Sequence, residues 1–112
     1  MRKSLGLILG VLLMGSVAGA QDAAKIEHGQ KVYATFKCSS CHSIAGKGAK
    51  KGPLDDVGTR LTEDEIRQWI VNPKEMTKKT NSKRKPLMKE HPKLTPAEID
   101  ALVAYMQSLK KP

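Results

Sequence analysis

Cys38-Ser39-Ser40-Cys41-His42 is the stretch on which the reading of this chain turns. It has the form C-x-x-C-H, the attachment signature of a c-type haem. Two thiols three positions apart match the two vinyl groups on one edge of a porphyrin. The residue that follows carries an imidazole placed to reach the iron. The same pair of cysteines admits plainer readings. A thioredoxin-like redox site needs a βαβ setting, and the chain shows no period-2 strand pattern. A zinc site needs a second pair of ligands, which His28 and His91 do not supply at zinc-finger spacing. A disulfide between the two cysteines would close a tiny loop and gain little entropy. Haem attachment through Cys38 and Cys41, with His42 on the iron, is therefore the expectation.

Upstream of the motif the chain opens as a targeting segment. Arg2 and Lys3 precede an apolar run from Leu5 to Val17, and Ala18-Gly19-Ala20 puts small residues where a signal peptidase cuts. Residues 1–20 are expected to be a signal peptide and 21–112 the mature domain, exported to the periplasm. The apolar run is shorter than the ~20 residues of a membrane span. Membrane association is thus left to an uncleaved signal segment or to a partner complex. The mature domain is small and holds four aromatic side chains. Domains of that size generally need a metal, a disulfide or another staple, and a large planar cofactor would fill the middle.

The full chain carries a net charge of +9, and without Arg2 and Lys3 there remain 18 basic residues against 11 acidic, a net of +7. Export, and the lack of a basic helix interleaved with stacking aromatics, argue against nucleic acid. Lys74 to Lys93 holds eight basic residues against Glu75 and Glu90, a net of +6, so most of the excess lies in one segment. Such a segment suits an acidic patch on a redox protein, where it would raise the encounter rate. The plainer reading is a solvated charged loop.

Ile26 to Phe36 reads as a short helix running into the motif. Ala45 to Gly58, rich in Gly and with Pro53, reads as an irregular loop. Thr62-Glu63-Asp64-Glu65 is a capping box opening a helix with Ile66, Trp69 and Ile70 on one face, and Asn72-Pro73 ends it. Thr95-Pro96-Ala97-Glu98 opens a last helix whose apolar stripe is Ile99, Leu102, Val103, Met106 and Leu109. Lys74 to Leu94 is left as a long polar loop, too long for a mere connection. The expected fold is all-α, with three or more helices.

A His–Met pair on haem iron is the electron-transfer arrangement. Met106 belongs to the stripe of the last helix and reads as core. Met76 and Met88 remain, with His91 as a further alternative. Met88 follows Pro86 late in the long loop, which must cross the haem face opposite His42, and is better placed than Met76.

With CSSCH early, a Met-bearing loop late and a capped helix last, the chain resembles the class I monohaem cytochromes c over nearly all of Lys25 to Lys111. That resemblance implies three to five helices wrapped around one covalently attached haem c. It implies that Gly29 and Tyr33 meet Leu102 and Tyr105 across a helix crossing. In the Gly52-Pro53 turn it implies that the Pro53 carbonyl accepts the His42 Nδ1–H, orienting the ring. Arg60, in Gly58-Thr59-Arg60, is implied to stay near a haem propionate. Trp69 is implied to donate its indole N–H to a propionate, its plainer reading being core beside Ile66 and Ile70. The Pro-x-Met context favours Met88 as the iron ligand, although Lys89 stands where many members have Pro.

The function this implies is a non-enzymatic, monomeric electron carrier for acidic redox partners. A cytochrome subunit of a larger oxidoreductase, or a haem enzyme or gas sensor with a labile sixth ligand, are the alternatives. The intact mass of the exported protein checks the processing: it is expected to begin at Gln21, and a chain retaining Met1 would refute cleavage.

Overall fold

The structure, a computed structural model, describes residues 17–111. Residues 1–16 of the expected signal peptide lie outside the described residues. Five helices follow one another: α1 (Val17–Thr35), α2 (Val57–Arg60), α3 (Glu63–Val71), α4 (Pro73–Thr80) and α5 (Pro96–Ser108). A 3-10 turn at Cys38–Ser40 follows α1, and a two-stranded hairpin pairs β1 (Ser43–Ile44) with β2 (Lys47–Gly48) antiparallel. The fold is that of a mostly helical cytochrome c-like domain, as expected. No helix among the described residues is long and apolar enough to cross a membrane.

Both capping boxes form. Thr62 Oγ1 accepts the Glu65 N–H at 3.2 Å while the Glu65 carboxylate accepts the Thr62 N–H at 3.0 Å. Thr95 and Glu98 repeat the exchange at the same two distances. Each box satisfies donors that the first helical turn leaves unpaired.

Three readings of the loops are corrected. First, α1 begins well before Ile26 and includes Ala18, Ala20, Ala23 and Ala24, good helix formers that extend it. Second, Asn72 does end α3, but Pro73 opens α4 at its first position, where a missing N–H costs nothing. Pro73 and Met76 bury one side of α4, and Asn81, in the left-handed region at φ 51°, closes it. The expected long loop therefore starts at Asn81. Third, Ala45 to Gly58 is not wholly irregular. Ala45 and Gly46, at φ 52° and 78°, make the tight turn of the hairpin, and α2 starts at Val57.

The frame is the crossing of α1 on α5, with α3 packed against α5 from another side. Gly29 is buried there. A Cβ in its place would collide with the Ala101 carbonyl and the Tyr105 Cβ, so glycine is needed for close approach of the two backbones. One turn on, the Tyr33 and Tyr105 rings meet edge to face, centroids 5.8 Å apart. This is the expected meeting of α1 with the last helix, except that Gly29 faces Ala101 rather than Leu102. Val32, Val57, Ile66, Ile70, Leu102, Val103 and Met106 form the core cluster. Each buried aliphatic of this kind is worth roughly 1.5–3 kcal/mol relative to exposure.

Gly29→Ala is expected to lower stability by about 2 kcal/mol or more, since backbone must move to admit the methyl. Thr95→Ala is expected to cost about 1 kcal/mol through loss of the cap. Thermal denaturation of the two variants checks both, and a wild-type Tm for Gly29→Ala would refute the close crossing.

Candidate functional site

The chain leaves α1 at Thr35 and turns at Lys37, which sits in the left-handed region at φ 54°, into the 3-10 turn. The Cys41 and His42 N–H groups both donate to the Cys38 carbonyl, at 3.1 and 3.0 Å. In a 3-10 turn positions i and i+3 eclipse, which brings the side chains of Cys38 and Cys41 to the same side. Both are half-buried free thiols. Burial pushes the Cys38 thiol up, its own backbone hydrogen bond opposes this, and Cys41 adds a smaller upward push.

His42 Nδ1–H donates to a carbonyl at 3.1 Å, but the acceptor is Gly52 and not Pro53 as expected. The register of a parallel bridge between Ser43 and Pro53 explains the shift. The Ser43 N–H donates to the Gly52 carbonyl at 3.0 Å and the Leu54 N–H returns to the Ser43 carbonyl at 2.8 Å. That ladder turns the Gly52 carbonyl toward residues 42 and 43. Pro53 is exposed and still borders the cavity described below. Burial holds the His42 imidazole below its usual range; the Gly52 hydrogen bond opposes this, and the Arg84 cation adds to it. The ring is thus kept neutral, with Nδ1 occupied and the Nε2 lone pair left for a metal.

These residues border a cavity of about 700 Å³ whose walls are largely apolar, including Leu54, Leu61, Ile66, Ile70 and Leu102. Protein interiors pack as densely as organic crystals, so a space of this size within so small a core fits a large planar group. Among the described residues no three His, Cys, Asp or Glu side chains gather to hold a metal ion by themselves. A single imidazole beside two thiols suits a metal carried in by a covalently attached ring. The donor set and the apolar walls fit a haem.

The other expected site residues distribute unequally. Met88 is half-buried and lines the cavity; Met76 is buried in α4 and does not. Met106 reaches the cavity from within the core cluster. His91 also lines it, edge-on to Phe36 with centroids 6.1 Å apart. Arg60 and Trp69 both border the cavity. Arg60 Nε donates to Asp56 Oδ1 at 2.7 Å, which holds the Asp56 carboxyl below its usual range. The Trp69 indole N–H makes no hydrogen bond among the described residues.

Two site residues were not singled out for these roles by the sequence. Arg84 Nη2 donates to the Cys41 carbonyl at 2.8 Å, reaching back 43 positions. Within a basic loop no local signal distinguishes it from its neighbours. Tyr33, legible as a helix-contact residue, also lines the cavity and has a buried hydroxyl without a partner.

A cytochrome c family model matches residues 26–110. The chain is also similar to cytochrome c oxidase subunit 2 of Alkalihalophilus pseudofirmus, 26% identical over 91 residues, covering 73% of this chain and 25% of that protein. The chain therefore spans about a quarter of that relative's length. No solved structure matched it.

The Tyr33 phenol is pushed up to about 12, first by burial and then by the charges of Cys38, Tyr105 and Asp55. The fold favours the neutral phenol, so this stabilisation is complete below the ordinary value near 10 and is lost as pH rises through about 12. Tyr33→Phe removes a buried hydroxyl with no partner, a group whose burial is costly. The variant is expected to melt no lower than wild type at neutral pH and to keep more of its stability above about pH 10. Melting curves at rising pH check this, and a lower Tm at neutral pH would refute it.

Proposed function

The chain belongs to the cytochrome c family, and on that footing we propose that it is an exported single-haem electron carrier, passing one electron at a time between redox partners in the periplasm. The observation that carries this reading is the neutral His42 imidazole, held by the Gly52 carbonyl at the wall of an apolar cavity that Cys38, Cys41 and Met88 also line.

Cys38 and Cys41 would each add their S–H across a vinyl group, so that a small protein cannot lose the ring. His42 Nε2 would take one axial position of the iron and the Met88 thioether the other. When bound, the haem supplies a one-electron Fe(III)/Fe(II) couple. A His–Met ligand pair raises its potential, because a soft thioether prefers the ferrous ion. With both axial positions filled by the chain, oxygen and peroxide have no site to bind. The apolar walls exclude water. Arg60, with or without Asp56, and the unpartnered Trp69 indole would meet the propionates. No substrate bond is made or broken, so the chain is read as a carrier and not an enzyme.

Partner recognition is read from charge. Lys83, Arg84, Lys85 and Lys89 are exposed around Pro86 and the exposed Leu87. This juxtaposition of apolar and basic groups beside the cavity suits an acidic docking surface on a redox protein. Charge at such a surface mainly accelerates encounter. The likeness to an oxidase subunit favours one second reading, a cytochrome subunit held in a larger oxidoreductase. Co-purification with such a complex through gentle extraction would select it over a free shuttle.

The reduced protein is expected to show the α-band of a c-type haem, retained after acid–acetone extraction. A colourless folded protein would refute the proposal. The charge-transfer band of the ferric iron–sulfur bond is expected to vanish in Met88→Ala and persist in Met76→Ala; the reverse would move the ligand to Met76. The second-order rate with an acidic redox partner is expected to fall severalfold as salt rises to physiological ionic strength.

A further inference from the structure

Residues 83–93 carry Met88 past the cavity without a helix or a strand. Among the described residues, one hydrogen bond ties this stretch to anything beyond the adjoining turn: that from Arg84 Nη2 to the Cys41 carbonyl, at 2.8 Å. The Cys41 carbonyl takes no backbone donor of its own. The guanidinium also lies against Gly52, where a Cβ would collide with both Nη atoms and with the Cys41 carbonyl. Gly52 does not adopt a positive φ. Its glycine is thus required by the close approach of Arg84 and Cys41, and not by its own conformation. The carbonyl of this same Gly52 accepts the His42 Nδ1–H.

We infer that Arg84 is a positioning residue: it straps the Met88 segment onto the haem-attachment turn and thereby sets how readily Met88 leaves the sixth position. The inference rests on the reading of Met88 as the sixth ligand. A segment with few buried contacts and no ladder of hydrogen bonds opens locally at low free energy. One charge-assisted hydrogen bond is then a large part of what holds it. The fork of the guanidinium lets one arm reach Cys41 while the other rests by Gly52. Lysine at this position would keep the charge but offer a single point donor.

The test uses the haem-loaded protein. Imidazole is titrated into the ferric form while the iron–sulfur band reports displacement of Met88. Arg84→Ala is expected to raise the apparent imidazole affinity about fivefold, the effect of weakening one exposed charge-assisted hydrogen bond. Arg84→Lys is expected to fall between Arg84→Ala and wild type. Amide hydrogen exchange in residues 85–90 is expected to quicken in Arg84→Ala by a similar factor, with exchange in α1 and α5 unchanged.

Wild-type imidazole affinity in an Arg84→Ala protein that keeps its iron–sulfur band would overturn the inference. So would exchange that rises equally everywhere, which would mark the bond as ordinary structure. If Met88→Ala retains the iron–sulfur band, the ligand reading itself fails, and the claim on Met88 with it. In that case unchanged exchange at 85–90 in Arg84→Ala would separately overturn the strap.

Discussion

The Gly52 carbonyl accepts two donors, the Ser43 N–H at 3.0 Å and the His42 Nδ1–H at 3.1 Å. One fixes the path of the backbone after the cysteine turn; the other fixes the plane and tautomer of the imidazole. A metal ligand that can rotate or exchange its proton is a poor one, because each alternative must be frozen out when the metal binds. Here that ordering is done in advance by the backbone. The arrangement needs a residue without a side chain at position 52, since the Cys41 carbonyl and the Arg84 guanidinium occupy the space a methyl would take. Three stretches remote in sequence thus meet at one peptide group.

The helices serve this region by staying clear of it. α1 and α5 cross tightly at Gly29, and the Tyr33–Tyr105 contact continues the joint. Their close approach gathers Val32, Leu102, Val103 and Met106 into one side of the core, with Ile66 and Ile70 from α3 and Val57 from α2. Apolar side chains from the same elements then border the cavity, so a single layer of residues acts both as core and as cofactor wall. That economy suits a domain too small to build two separate cores. It also couples folding to the cofactor, because a group that fills such a cavity stabilises the folded state in proportion to how tightly it is held.

How much of this was legible in the sequence depended on whether the signal was local. The cysteine turn, both capping boxes and the Asn72-Pro73 break are each written within five residues, and each forms where the residues require. The stripe of α5 and the Gly29–Tyr33 spacing were legible as helix faces because helical periodicity is local too. α4 was missed for a different reason. Its composition is polar, and only the burial of Pro73 and Met76 against the rest of the protein makes its short helix worthwhile. The acceptor for His42 was placed one residue late because a carbonyl's direction is set by strand register, and the bridge from Ser43 to Pro53 joins segments ten residues apart. Arg84 was invisible as an individual, since eight basic residues share its segment and only tertiary contact separates it from the others.

The two sides of the cavity are therefore built by different physics. On the side of His42, a turn, a bridge and a buried carbonyl hold every polar group in a hydrogen-bonded lattice. On the side of Met88, an extended chain with Pro86, Leu87 and several lysines exposed depends on packing and on a single charged contact. Ligands held so unequally respond unequally to perturbation. Salt, denaturant or a docking partner that competes for Arg84 acts first on the loop, leaving the attachment turn intact. The same cations that would draw in an acidic partner surround the residue that holds the loop shut. An acidic carboxylate arriving at that surface thus has two acceptors to offer against one: it competes with the Cys41 carbonyl for the guanidinium, and as a charged acceptor it is the stronger of the two. Docking and loop closure are in this way linked through one side chain, and whichever contact gains at Arg84 does so at the other's expense.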